Sequence, residues 1–174
     1  MRHVLTLVDG RVVALALVLL VLATVTALVV DRRNGAGWRT FFALCGTALI
    51  GTLTIGNRGI VVSNNGLADD FTWWTRNWGT LPSLVSGDIG WWFNVALFVP
   101  AATGWTVLTK RPIAVSIVLL LAVVAIETLQ ATVLSGAGDP TDVVANGLGI
   151  AIGVGAALVW SRRLRTVEQA PTTA

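Results

Sequence analysis

The stretch Val12–Val30, VVALALVLLVLATVTALVV, is nineteen residues long and carries no charge. A helix that crosses a bilayer needs about 20 consecutive apolar residues, within a range of about 17–25. A cleaved signal peptide has a shorter apolar core of roughly 7–15 residues, followed by a small-residue cleavage site. Here Asp31, Arg32 and Arg33 close the run instead. The stretch therefore reads as a retained membrane helix.

Four further apolar segments follow: Phe41–Gly56, Trp91–Leu108, Ile113–Leu134 and Val143–Trp160. The first of these is short and extends back toward Trp38. The expected fold class is all-α, a polytopic transmembrane helical bundle of about five spans. Composition agrees. Of 174 residues, 55% are hydrophobic and 12% charged, against roughly 25% charged in a typical soluble domain. Mean hydropathy is +0.77. A soluble domain of this size has too little interior to hide that much apolar surface.

The net charge of +3 does not imply nucleic acid, because the basic residues sit at the ends of apolar runs and form no stripe. They also set an orientation. With five spans, one side holds Arg2, Arg11, Arg58 and Arg76, four residues. The other holds eight: Arg32, Arg33, Arg39, Lys110, Arg111, Arg162, Arg163 and Arg165. Basic excess marks the cytoplasmic side. This predicts a multi-pass cell-membrane protein with its N-terminus outside and its C-terminus in the cytoplasm. The connection 57–90 is then extracytoplasmic. Within it Leu67, Phe71, Trp74 and Trp78 share one helical face, and Trp73, Trp74, Trp78, Trp91 and Trp92 read as an interfacial aromatic belt.

Polar residues inside the apolar segments are costly, so they locate a candidate site. Glu127 lies three residues before Gln130, placing both on one helix face. Asn94 and Phe98 share a face of the preceding segment, and Pro100 frees a backbone carbonyl nearby. Asp139, Pro140 and Asp142 read as an N-cap, a first helical residue and a first-turn carboxylate. Asp142, Asn146, Gly149 and Gly153 form one stripe, whose Gly149–Gly153 pair permits close helix contact. The predicted topology brings Asn94, Glu127, Gln130, Asp142 and Asn146 into the outer leaflet as a polar site. Pro100, Gly149 and Gly153 are expected to serve helix packing.

The same residues resemble the VanZ-like family of integral membrane proteins. Asn94–Pro100 reads N-V-A-L-F-V-P, like that family's N-x-x-x-F-x-P helix. Ile126–Gln130 reads I-E-T-L-Q, like its I-E-x-x-Q signature, and Asp142–Gly153 matches its D-x-x-x-N-x-x-G-x-x-x-G block. Gly136–Asp142, G-A-G-D-P-T-D, departs from the family's acidic loop by placing Pro140 where an apolar residue is usual. The resemblance implies a four-helix VanZ-like core at 41–162, including the loop 57–90. Residues 1–40 would add an N-terminal helix and its cytoplasmic turn, and 163–174 a loose cytoplasmic tail.

It also implies a cell-envelope role, since the founding member is associated with resistance to the glycopeptide teicoplanin. The expected partners are membrane lipids and a lipid-linked envelope precursor or amphiphilic antibiotic, with no nucleic acid. Catalysis is the less favoured reading, because the chain has one histidine, His3, one cysteine, Cys45, and no recognised nucleophile–base pair. The alternative is an intramembrane enzyme using Glu127 as acid or base, or else a transporter or assembly scaffold. Oxygen ligands on Glu127, Asp142 and Asn94 would suit a hard cation. No loop has a recognised ligand spacing, so neither a metal nor a cofactor is expected.

Overall fold

Backbone N–H and C=O groups find no water inside a bilayer, so an apolar chain must satisfy them within each spanning segment. The computed structural model, which describes residues 10–56, 72, 75–76, 89–132 and 139–168, does this with helices. They are α1 (Gly10–Asn34), α2 (Gly37–Gly51), α3 (Ile89–Thr109), α4 (Pro112–Thr132) and α5 (Pro140–Glu168). A π-helical turn, Thr52–Gly56, continues α2.

Four helices are long and apolar enough to cross a membrane, over Ala14–Arg33, Ile89–Thr109, Pro112–Thr132 and Pro140–Arg163. The short segment is α2. Its fifteen residues reach only ~22 Å at ~1.5 Å each, and the π turn lengthens it. At the other end of the chain, α5 continues to Glu168, past the start of the tail expected to be loose from residue 163. No helix breaker stands there before Pro171.

The tight turns follow from local chemistry. Gly35 adopts the left-handed conformation at φ 66° and donates its N–H to the Asp31 carbonyl at 2.9 Å, closing α1. The Asp31 carboxylate then accepts the Gly37 N–H at 3.0 Å, satisfying a free donor at the start of α2. Between α3 and α4, Lys110 takes the left-handed position at φ 59°, and Pro112 opens α4 where a missing N–H costs nothing.

Helix α3 sits at the centre, packed most extensively on α5 and next on α2. Small residues allow both contacts. A Cβ on Gly153 would lie 2.6 Å from the Val99 carbonyl oxygen and 2.7 Å from the Ala102 Cβ, and one on Gly149 would collide with the Val95 carbonyl. On the other flank the approach is reciprocal, with Gly46 against Ala101 and Gly104 against Ala43. These pairs show that α3 runs parallel to α5 and antiparallel to α2.

The alternation separates two ends. Arg32, Arg33, Arg39, Lys110, Arg111, Arg162 and Arg163 lie at one, which we call the basic end. Thr54, Asn94, Glu127, Gln130, Asp142 and Asn146 lie toward the other, the polar end.

Candidate functional site

The polar end is built from four elements. The parallel register of α3 on α5 aligns Asn94 with Asp142, and the Asn94 Nδ2 donates to Asp142 Oδ1 at 2.6 Å. A carboxylate can only accept, so the amide presents its NH₂. Both side chains are half-buried. α3 is continuous through Pro100 and Ala96 faces the outside of the bundle. Register gathers these groups, rather than an interruption at the proline.

Glu127 is 2% exposed, and its Oε2 accepts the backbone N–H of Asp139 at 3.2 Å. That bond joins the end of α4 to the start of α5. The Asp139 Oδ1 in turn accepts the Thr141 N–H at 2.8 Å. The cap at Asp139 thus stands as the sequence implies, while Asp142 turns to Asn94.

Gln130 is 3% exposed and points elsewhere. Its Nε2 donates to the Thr54 carbonyl at 2.9 Å. The last carbonyls of a helix lack partners within it, so Gln130 ties α4 to the π turn after α2. Asn146, also 3% exposed, lies one turn below Asp142. Its buried Oδ1 has no hydrogen-bond partner among the described residues.

The geometry therefore divides the predicted residues. Asn94 and Asp142 form a direct pair, Glu127 holds the α4–α5 junction, Gln130 secures the π turn, and Asn146 supplies an unsatisfied acceptor. Gly149 and Gly153 are both buried against α3, as the stripe requires. Among the described residues no group of three or more His, Cys, Asp or Glu side chains could hold a metal ion.

Two aromatic residues part company. Trp91, expected in the interfacial belt, is 4% exposed and packs with Val95 and Ala145, whereas Trp92 faces outward. Neighbours in a helix point about 100° apart, which lets two adjacent tryptophans meet different surroundings: Trp91 turns toward α5, while Trp92 and Phe93 both face outward. Leu67, Phe71, Trp73, Trp74 and Trp78 lie outside the described residues.

Sequence reasoning missed three contributors. The Thr54 carbonyl carries no side-chain signal. Thr103 places its hydroxyl 2.8 Å from the Val99 carbonyl and 3.0 Å from the Gly153 carbonyl, its one proton shared between them. The α2–α3 contact was readable, because Ala43–Gly46 and Ala101–Gly104 are both A-x-x-G, a small-residue spacing that lets helices approach.

This arrangement defines an α-helical membrane protein with polar groups from several helices gathered at one end of the bundle. The VanZ/LLP1 family model matches residues 12–161, and the chain belongs to that family. The match takes in α1, which the three motif blocks leave outside. No curated protein and no solved structure matches the chain.

Proposed function

We propose that the protein is a non-enzymatic component of the cell envelope, with its polar end facing outward and its basic end in the cytoplasm. The polar end binds an amphiphilic ligand at the outer membrane–water boundary. That ligand is a lipid-linked envelope precursor or a teicoplanin-type glycopeptide acting near one.

The observation that carries this reading is the acceptor set at the polar end. Glu127 and Asp142 accept as carboxylates, and the buried Asn146 Oδ1 has no partner among the described residues. A buried acceptor left unpaired costs about 1–3 kcal/mol, which a ligand donor would recover. Sugar hydroxyls and peptide amides are such donors, and both proposed ligands carry them. The basic residues at the opposite end support the orientation through the positive-inside rule.

Glu127→Gln is the decisive variant. Gln keeps the shape and can still accept the Asp139 N–H, but it removes the charge and the transferable proton. In a strain lacking the gene, wild type should restore teicoplanin susceptibility and lipid-linked precursor levels to normal. Glu127→Gln should be present in full amount and fail to do so, and Asn94→Ala and Asn146→Ala should weaken the effect. Full restoration by Glu127→Gln would reduce the residue to a structural hydrogen bond.

A further inference from the structure

Away from the polar end, α2 and α4 part. Gln130 holds α4 to the π turn after α2. Toward the basic end, a groove of about 450 Å³ lies beside α3, bordered by α2 and α4. That volume falls within the range of about 300–1,000 Å³ seen for ligand pockets. Ala114, Val118 and Ala122 recur every four residues along one face of α4 and form one wall. Their small side chains leave the space open. Trp105 and Thr47 line the groove from α3 and α2.

The interior of the groove asks for no water. Thr47 donates to the Ala43 carbonyl at 2.8 Å and accepts the Trp105 Nε1–H at 2.9 Å. Thr109 donates to the Trp105 carbonyl at 2.8 Å. With these polar groups satisfied, an apolar occupant is favoured over water. The mouth is different. Arg111 belongs to the lining and is exposed. Among the described residues no carboxylate pairs with its guanidinium. Lys110 stands beside it, and the carboxylate of Asp31, at the same end, accepts the Gly37 N–H.

A dry groove open to lipid, ending at a guanidinium with no carboxylate partner among the described residues, has the polarity of one lipid molecule. Arg presents a planar fork suited to phosphate oxygens, and basic pockets between membrane helices select anionic head groups. We propose that the groove between α2 and α4 holds an acyl chain of an anionic glycerophospholipid whose phosphate sits on Arg111.

The full-length protein in detergent, titrated with phosphatidylglycerol or phosphatidylcholine and read by native mass spectrometry, tests this. Wild type should retain phosphatidylglycerol over phosphatidylcholine. Arg111→Gln should lower phosphatidylglycerol retention about five-fold and leave phosphatidylcholine unchanged. Ala122→Phe should reduce both lipids by filling the groove. Ala114→Phe, at an exposed position, should do the same and decides the matter if Ala122→Phe does not fold. Arg163→Gln, at the same end but outside the groove, should behave as wild type. Unchanged retention in Arg111→Gln or in the folded Phe variants overturns the assignment. So does an equal loss in Arg163→Gln, which would mean that surface charge alone attracts the lipid.

Discussion

At the polar end side chains reach from one helix to the next: Asn94 to Asp142, Glu127 to the backbone of Asp139, Gln130 to the Thr54 carbonyl. At the basic end Trp38 stands edge-on to Trp160 at 6.1 Å, a side-chain hydrogen bond joins helices across the α1–α2 turn, from the Gly37 N–H to Asp31, and the cations stand at the rim. Between the two ends runs a seam of small residues, where α3 touches α5 and α2 through Gly149, Gly153, Gly46 and Gly104. Lipid tails are as apolar as leucine, so burial in a bilayer does not drive helices together; close packing and hydrogen bonds do. The seam sets the distance between helices. The polar end sets their register, and the basic end is left free to meet lipid.

The largest contrast concerns which end faces out. In a background with Cys45 replaced, Ile89→Cys and Lys110→Cys place thiols at the two termini of α3, both at exposed positions. A membrane-impermeant maleimide added to intact cells should label position 89 and leave position 110 unlabelled until the membrane is opened. The reverse pattern would invert the comparison and put the polar end in the cytoplasm.

The seam should respond next most strongly. Gly149→Leu meets backbone at Val95, which cannot yield as a flexible side chain would. A cost of about 3 kcal/mol or more is expected, at the upper end of overpacking, seen as a lower melting temperature in detergent and less folded protein. Ile152→Ala, on an exposed position, should change stability by only about 0.5 kcal/mol. Ile150, its neighbour two residues back, is 2% exposed and packs in the main core, so it is not a mild control despite lying between the two glycines. Equal tolerance at 149 and 152 would show that close approach does not hold α3 to α5.

Much of this was legible in the sequence because membrane physics leaves few solutions. Uncharged runs of the right length mark spans, and Asp139–Pro140 marks a helix start that the Thr141 N–H bond bears out. The gathering of Asn94, Glu127, Asp142 and Asn146 at one end follows from alternation of direction alone. What stayed hidden depends on rotation about a helix axis. Hydrophobic periodicity fails when lipid and core are equally apolar, so the one sign that Trp91 rather than Trp92 turns inward is its place on the face of Asn94 and Phe98, three and seven residues on. The π turn after α2 and the carbonyl it offers to Gln130 are backbone features without a residue signature.

Within the polar end, the Asn94–Asp142 bond should carry a smaller but specific energy. Inter-helix side-chain hydrogen bonds in membranes average ~0.6 kcal/mol and reach ~1.7 kcal/mol. At 2.6 Å and with one charged partner, a coupling of about 1 kcal/mol is expected from a double-mutant cycle of Asn94→Ala and Asp142→Ala, measured by reversible unfolding in mixed micelles. Strict additivity of the two substitutions would mean that the pair does not fix the register of α3 on α5.

Gln130→Ala should give the smallest change, and where it falls matters more than its size. The bond to Thr54 joins α4 to the segment after α2, away from the α3–α5 seam. Its loss should cost about 0.6 kcal/mol, the average for such bonds in a bilayer. The Thr54 carbonyl would then seek another donor, which a nearby water or a shift of the π turn can supply. Hydrogen exchange should therefore quicken at the C-terminal end of α2 while the amides of α3 and α5 keep their protection. A uniform loss of protection across all five helices would show instead that the polar end is one cooperative unit with the seam. The contrast between register-setting and spacing-setting regions would then have to be abandoned.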